Sequence, residues 1–225
     1  MSKVIHHDAD CFFCSTCIPE WRELAELKRK VMSFKKGERL FAAGDSVQGL
    51  FFTLSGAVKV HKQWGDQKEL IIRFATGRDI IGFRGLGGRQ VFPVTATAME
   101  LTTVCFIPNS FLEASLKANP ALSYRLMQFY AAELQKAEQR MSDLVHMDVK
   151  GRIARAILDM EATFRNREDG FINITISRQD IASYAGTIYE TVFKVFTEWI
   201  KAGLIITEGK HIKIMNRKKL SAFVG

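Results

Sequence analysis

The period of the hydrophobic pattern changes at Pro108, and that change divides what the chain can fold into. Between about Val31 and Pro108, short apolar runs alternate with glycine turns: RLFAAGD, GLFFTLSGAVKV, KELIIRFATG, IIGF and LTTVCFIP. Runs rich in β-branched and aromatic residues with regular turn signals predict antiparallel strands closing into a barrel or sandwich. The turn at Trp64-Gly65-Asp66-Gln67 predicts a hairpin between two of them. Beyond Pro108 the pattern is helical. Asn119-Pro120 opens a helix, since proline is accepted in a first turn, and Ala121 to His146 holds neither glycine nor proline. Leu122, Leu126, Phe129, Ala137, Met141 and Leu144 recur there at spacings near three and four, with Glu133 as a polar break. At about 1.5 Å per residue this helix outruns what one small β domain can cover, which predicts a dimer seam rather than a core face.

Shorter elements flank these two regions. Residues 20–30 (EWRELAELKRK) read as an amphipathic helix with Trp21, Leu24 and Leu27 on one face. Asp148 to Phe164 reads as another helix, and Phe171 to Ile176 (FINITI) as an alternating strand. Leu204 to Met215 (LIITEGKHIKIM) reads as two strands around Glu208-Gly209-Lys210, the shape of a wing.

Between that strand and the wing, Ser177 to Ala202 (SRQDIASYAGTIYETVFKVFTEWIKA) carries the strongest functional signal. Ser177 can cap a helix, with Asp180 placing negative charge in its first turn. Ile181, Ala182 and Ala185 give a small apolar face, and Gly186 permits a sharp turn. Thr187 followed by Glu190 has the spacing of a capping box for a second helix. Ile188, Val192, Val195, Phe196 and Trp199 would be its buried face. Small residues at the crossing let two short helices pack at the steep angle of a helix-turn-helix. The N-terminal part of the second helix would enter the major groove. Tyr189, Glu190, Phe193 and Lys194 would face outward, Glu190 accepting from a cytosine amino group and Lys194 donating to guanine.

Charge agrees with a polyanionic partner. The net charge is +8; residues 147–225 hold 13 Lys/Arg against 9 Asp/Glu, and residues 1–146 hold 19 against 15. The smaller C-terminal part is therefore denser in positive charge, and Lys210, Lys213, Arg217, Lys218 and Lys219 close it with no acid among them. No run of about 18 apolar residues exists, and Met1 to Asp10 lacks the apolar core of a signal peptide; both point to a cytoplasmic chain without a membrane partner. A Walker loop, a nucleophile elbow and an HExxH pair are all missing, and Glu133 and Glu138 read as solvated helix surface, so an enzyme is not expected. The competing class is a sensor module acting through protein contacts alone.

Four cysteines are present, three of them as Cys11-x2-Cys14-x2-Cys17 and the fourth at Cys105. In a reducing compartment these point to metal, cluster or redox chemistry rather than structural disulfides.

Taken along nearly its whole length, the sequence resembles the CRP/FNR family of bacterial regulators. KKGERLFAAGD and GLFFTLSGAVKV are similar to the family's opening β-roll strands, and SRQDIASYAGTIYETVFKVFTEWIKAGLI to its helix-turn-helix and the start of its wing. The resemblance implies an α+β fold: an N-terminal cyclic-nucleotide-binding-type β-roll sensor with its Cys-rich segment (1–119), a long dimerisation helix (120–146) and a C-terminal winged helix-turn-helix (147–225). It implies a homodimer, a near-palindromic operator in double-stranded DNA, and RNA polymerase as a partner. The DNA-contacting set on this reading is Ser177, Arg178, Thr187, Tyr189, Glu190, Thr191, Phe193 and Lys194. The family reads DNA through a pattern like R/V-E-T-x-S/G-R; here Glu190 is retained, Lys194 replaces the arginine and Phe193 replaces a small residue. Lysine offers a point charge in place of the bidentate fork.

For the sensor, members that bind cyclic AMP use a Gly-Glu-Leu segment and an Arg-Ser/Thr pair. Gly82-Phe83-Arg84-Gly85-Leu86 and Val94-Thr95-Ala96 lack both, although Arg84 and Arg89 are nearby, so cyclic AMP is not expected. Ile81-Gly82-Phe83 and Thr102-Thr103-Val104-Cys105-Phe106-Ile107-Pro108 instead resemble the oxygen-sensing FNR branch. That resemblance implies a 4Fe-4S cluster on Cys11, Cys14, Cys17 and Cys105, soft thiolates suited to iron. The chain departs from the branch in the short gap between Cys14 and Cys17. Zinc on four cysteines, a thiol switch, and idle cysteines beside another ligand such as haem or nitric oxide stay open as alternatives.

Overall fold

A computed structural model describes residues 11–65 and 68–224. The reading of Met1 to Asp10, and Asp66-Gln67 of the expected turn, lie outside the described residues. The chain divides into two compact units, residues 1–60 with 75–133, and residues 61–74 with 134–225.

Two short helices open the first unit, α1 (Phe12–Thr16) and α2 (Pro19–Lys28). Strands follow in the glycine-punctuated region: β1 (Lys30–Phe34), β2 (Arg39–Phe41), β3 (Gly49–Ser55), β4 (Val58–Trp64), β5 (Lys68–Ala75), β6 (Ile80–Ile81), β7 (Thr95–Ala98) and β8 (Thr102–Pro108). They form two four-stranded sheets in the orders β1-β8-β3-β6 and β2-β7-β4-β5. β8 runs antiparallel to both neighbours, with Cys105 opposite Val31 on β1 and Phe52 on β3. Successive strand side chains face opposite ways, and both faces of β8 are used. Cys105 and Ile107 join Leu50 and Phe52 in one buried cluster with α1, α2 and the helices that follow β8. On the other face Phe106 meets Phe51, which contacts Phe41 on β2.

Helix α3 (Asn109–Ala118) leads into α4 (Pro120–His146), whose start is fixed by Pro120 and by Asn119 Oδ1 accepting from Leu122 N–H at 3.3 Å. Leu122 and Leu126 are buried, whereas Leu134, Met141 and Val145 are 60%, 64% and 74% exposed. The apolar stripe is thus core at its start and open further on. Glu133, expected on the surface, is instead buried and paired with Arg84 at 3.6 Å. The break in the stripe is an internal ion pair, because a carboxylate is held out of water only with a cation beside it. In α2, Trp21 and Leu24 pack on the cluster and Ala25 is buried, but Leu27 is 80% exposed. The helix starts at Pro19, and its inward face runs through Ala25 rather than Leu27.

The second unit holds α5 (Val149–Phe164), capped by Asp148 accepting from Gly151 N–H at 2.6 Å. After it come α6 (Arg178–Ala185), α7 (Tyr189–Lys201), the wing strands β9 (Ile205–Glu208) and β10 (His211–Ile214), and α8 (Arg217–Ser221). Ile153, Ile157, Met160, Ile181, Phe196 and Trp199 are fully or almost fully buried there. Phe171 to Ile176 is not a strand. Its backbone makes isolated bridges, and Ile174 N–H turns back onto Ile172 O at 2.8 Å. Ile172 and Ile176 still donate to the carbonyls of Ile212 and Lys210, so the segment lines the wing without continuous pairing.

Gly186 closes α6 in the left-handed region (φ 62°, ψ 45°). A Cβ there would stand 2.8 Å from Leu144 Cδ2. Gly186→Ala should lower stability by about 1 kcal/mol, the cost of a left-handed L-residue, read as a lower urea midpoint with an unchanged slope.

Candidate functional site

Two groups of predicted site residues fall in separate units. The first is the cysteines. Cys11 caps α1, its Sγ accepting from Cys14 N–H at 3.2 Å. Phe12 and Phe13, between them, stack on and tilt against Phe52, and Phe13 also meets Phe111. These contacts press α1 onto the face of β8 that carries Cys105. The sulfurs of Cys11, Cys14 and Cys105 consequently lie within 4.8 Å of one another, all buried. Cys17 is buried in the same cluster but is not one of that trio.

The trio is electrostatically organised. Hydrogen bonds from Cys105 and Cys11 pull the Cys14 thiol down to about 3 against its burial, and the Arg29 charge adds to them. Arg29 Nη1 donates to Cys14 Sγ at 3.7 Å. For Cys11 the Cys105 interaction lowers the pKa, but the hydrogen bond to Cys14, burial and the Cys14 charge outweigh it, leaving it at about 11. Cys105 is pushed far up by its bonds to Cys11 and Cys14 and by burial. Burial first, then the charges of Cys14 and Cys11, raises Cys17 to about 12. Burial works against the Arg29 cation, and the negative charge on Cys14 with its hydrogen bond to Arg29 more than restores it. The group therefore favours negative charge on Cys14, with a guanidinium against it, over charge on the other three thiols.

These residues fit a thiolate-bound metal: soft donors, a dry surround and a cation to offset excess negative charge. Arg29 was not singled out from sequence. It sits in the run Lys28-Arg29-Lys30, and nothing in that run marks which cation turns inward.

The second group is on the helix pair. Ser177 Oγ caps α6, accepting from Asp180 N–H at 3.0 Å. Tyr189, Glu190, Phe193 and Lys194 are exposed, while Ser177, Arg178, Thr187 and Thr191 are half-buried. Two expectations are corrected. The cap of α7 is Ile188, without a side-chain bond, and not Thr187. Thr187 N–H instead donates to Ala182 O at 3.0 Å, so that residue belongs to the closure of α6. Ile188 is 63% exposed rather than on the buried face, which consists of Val192, Val195, Phe196 and Trp199. Among the basic residues at the end of the chain, Arg217 pairs with Glu161.

A strand-rich domain followed by a winged helix-turn-helix defines the class of DNA-binding regulator with its own sensor. A family profile for the cyclic nucleotide-binding domain matches residues 31–119, and one for the Crp-like helix-turn-helix domain matches residues 151–223. The "Transcriptional activator protein anr" of Pseudomonas aeruginosa is 32% identical over 97% of this chain and 93% of its own. The "Fumarate and nitrate reduction regulatory protein" of Vibrio cholerae is 28% identical over 97% of this chain and 90% of its own. FixK2 from Bradyrhizobium japonicum shares the fold, with a TM-score of 0.78 at 24% identity, over 88% of this chain and 98% of that one. The chain belongs to the CRP/FNR family of transcriptional regulators. It is a DNA-binding transcription factor and not an enzyme. Among the described residues no helix is long and apolar enough to cross a membrane.

In metal-free, reduced protein, thiolate absorbance in the ultraviolet should persist at neutral pH and vanish in Cys14→Ser. Arg29→Gln should move its midpoint upward. Because the folded pKa of Cys14 lies below its ordinary value of 9.0, its contribution to stability is full above about 9 and is lost as pH falls toward 3. Cys11, Cys17 and Cys105, raised in the fold, act oppositely and weaken the fold in alkali. A titration with no thiolate at neutral pH would contradict this charge arrangement.

Proposed function

We propose that this regulator is a homodimer whose DNA affinity is set by an oxygen- or redox-labile 4Fe-4S cluster held by Cys11, Cys14, Cys17 and Cys105. The observation that carries the reading is the meeting of Cys11 and Cys14 with Cys105, far apart in the chain, in one buried group. The relatives named for transcriptional activation and for fumarate and nitrate reduction favour a respiratory input. Cys11, Cys14 and Cys17 from the α1 segment and Cys105 from β8 would hold such a cluster, which would supply an oxygen-labile link between the two elements. The chain's own part is to carry that link to α4. Phe12 of α1 lies 6.2 Å from Phe129 of α4, Phe129 meets Phe83 edge-on at 4.9 Å, and Tyr130 donates to Phe83 O at 2.6 Å. Losing the link would leave α1 held by its aromatic packing alone, weaken the Phe12 contact with Phe129 and bias the helix seam, which is the two-state element such coupling requires.

Cyclic AMP is disfavoured by packing. Phe41 and Phe92 stack at 3.8 Å beside Gly82 and Gly85, and Arg84 is turned to Glu133 and over the Phe83 ring. A second reading, one zinc ion, is favoured by the closeness of the trio. Tetrahedral zinc with bonds of about 2.3 Å spaces its sulfurs about 3.8 Å apart, tighter than sulfurs at the corners of a four-iron core.

The dimer reading rests on Met127, Leu134, Met141 and Leu144, exposed along α4 at near-heptad spacing. It leads to a near-palindromic operator, read by Glu190, Lys194 and their neighbours with Ser177, Arg178, Thr187 and Thr191 at the flanks, and to contact with RNA polymerase. Leu134→Glu with Met141→Glu should convert dimer to monomer in sedimentation and weaken operator binding at least tenfold.

Protein purified without oxygen should contain about four irons and matching sulfide per chain, with a visible spectrum lost in air and absent from Cys105→Ser. One zinc and no iron would replace the cluster reading with the second; a metal-free chain that still binds DNA would remove both.

A further inference from the structure

We infer that Phe193 and Tyr189 are a reader of thymine methyl groups, so that operator choice in this chain rests partly on apolar contact. The inference rests on the reading of α7 as the DNA-entering helix. Tyr189 and Phe193 are one helical turn apart and share a face. Their rings stack at 6.4 Å with an interplanar angle of 26°. They are 41% and 48% exposed, and Ile188 beside them is 63% exposed. None of the three belongs to the buried face of α7, so this is a separate apolar surface at the groove-entering end of the helix.

Its surroundings select the occupant. The Arg178 guanidinium lies 5.6 Å from the Phe193 ring centre and 5.7 Å from that of Phe196. It steadies the Phe193 ring from the α6 side by a cation–π contact. Lys194 and Arg178 place positive charge on either side of an apolar patch, which suits a surface with phosphates at its borders and an apolar feature at its centre. In the major groove that feature is the 5-methyl of thymine, the one base-edge group that the apolar ring faces of Phe193 and Tyr189 can recognise without a hydrogen bond. Glu190 and Lys194 read hydrogen-bonding edges; Phe193 cannot, and a phenyl ring held against a cytosine amino group would leave that donor dry and unpaired. The aromatic pair therefore favours thymine and penalises cytosine at the positions it covers.

The full chain, prepared both without oxygen and in air, would first be used to enrich duplexes from a random pool. Each thymine of the enriched half-site would then be replaced singly by deoxyuridine, which removes the methyl and keeps the pairing. At one or two positions the wild-type protein should bind about three- to fivefold more weakly, the worth of one buried methyl. Phe193→Ala should bind the thymine and deoxyuridine duplexes equally at one of those positions, and a urea midpoint close to that of the wild type would report that this half-exposed position has been changed without unfolding the protein. Phe193→Leu should recover part of the methyl sensitivity. Wild-type indifference to deoxyuridine at every position, or an undiminished effect in both Phe193→Ala and Tyr189→Ala, would overturn the inference while leaving α7 as the reading helix. Failure to enrich any duplex in either preparation would overturn both.

Discussion

The arrangement of the cysteine site depends on the register of β8. A strand turns alternate side chains to opposite faces, and a slip of one residue exchanges them all. β8 is hydrogen-bonded on both edges, to β1 and to β3, with Cys105 opposite Val31 and Phe52. That double pairing fixes Cys105 on the face beneath α1 and keeps Phe106 against Phe51 on the other. Phe52 then offers a flat neighbour on which Phe12 and Phe13 pack. The cysteine site is thus assembled by sheet pairing and aromatic packing before any metal is considered, and its pieces come from segments with no local reason to meet.

Bringing four thiols into a dry core creates a charge problem. An unpaired buried thiolate is costly, and several together are costlier. Only Cys14 is held in its charged form, with two thiols and Arg29 around it, while the other three are pushed toward the neutral form. Metal binding needs thiolates, so loading the thiols pushed toward the neutral form would release protons and couple assembly to pH. Arg29 beside Cys14 and Arg22 beside Cys17 both favour the thiolate form of those ligands, and a bound metal would add its own positive charge.

The sequence showed its local punctuation well. Asn119-Pro120, Asp148, Ser177 with Asp180, Gly186 and the Glu208-Gly209-Lys210 turn all act where their backbone chemistry says they should. What it did not show depends on competition between neighbours. Thr187 has the composition of a cap, yet its N–H is taken by the end of α6, and the cap of α7 falls one residue later, on Ile188. FINITI has the alternation of a strand, but an inward turn at Ile174 breaks its pairing with β10. Glu133 looked like surface because its partner, Arg84, lies on a distant turn. Arg29 was invisible for the same reason. The spacing of the cysteines likewise did not reveal that Cys17 stands outside the close trio.

Helix α7, on the proposal that it reads DNA, carries two apolar surfaces, and among the described residues only one is buried against the rest of the chain. Val192, Val195, Phe196 and Trp199 are buried and give α7 its place on α6. Ile188, Tyr189 and Phe193 face away from them, and leaving such side chains in water forgoes the stabilisation that burial would add. A chain selected for folding alone would carry polar residues at these three positions. Glu190 and Lys194, interleaved with them, provide hydrogen bonding but cannot distinguish a methylated base edge from a bare one. Polar and apolar readers side by side on one turn of helix can resolve all four base pairs in the major groove, which a wholly charged surface would do less completely.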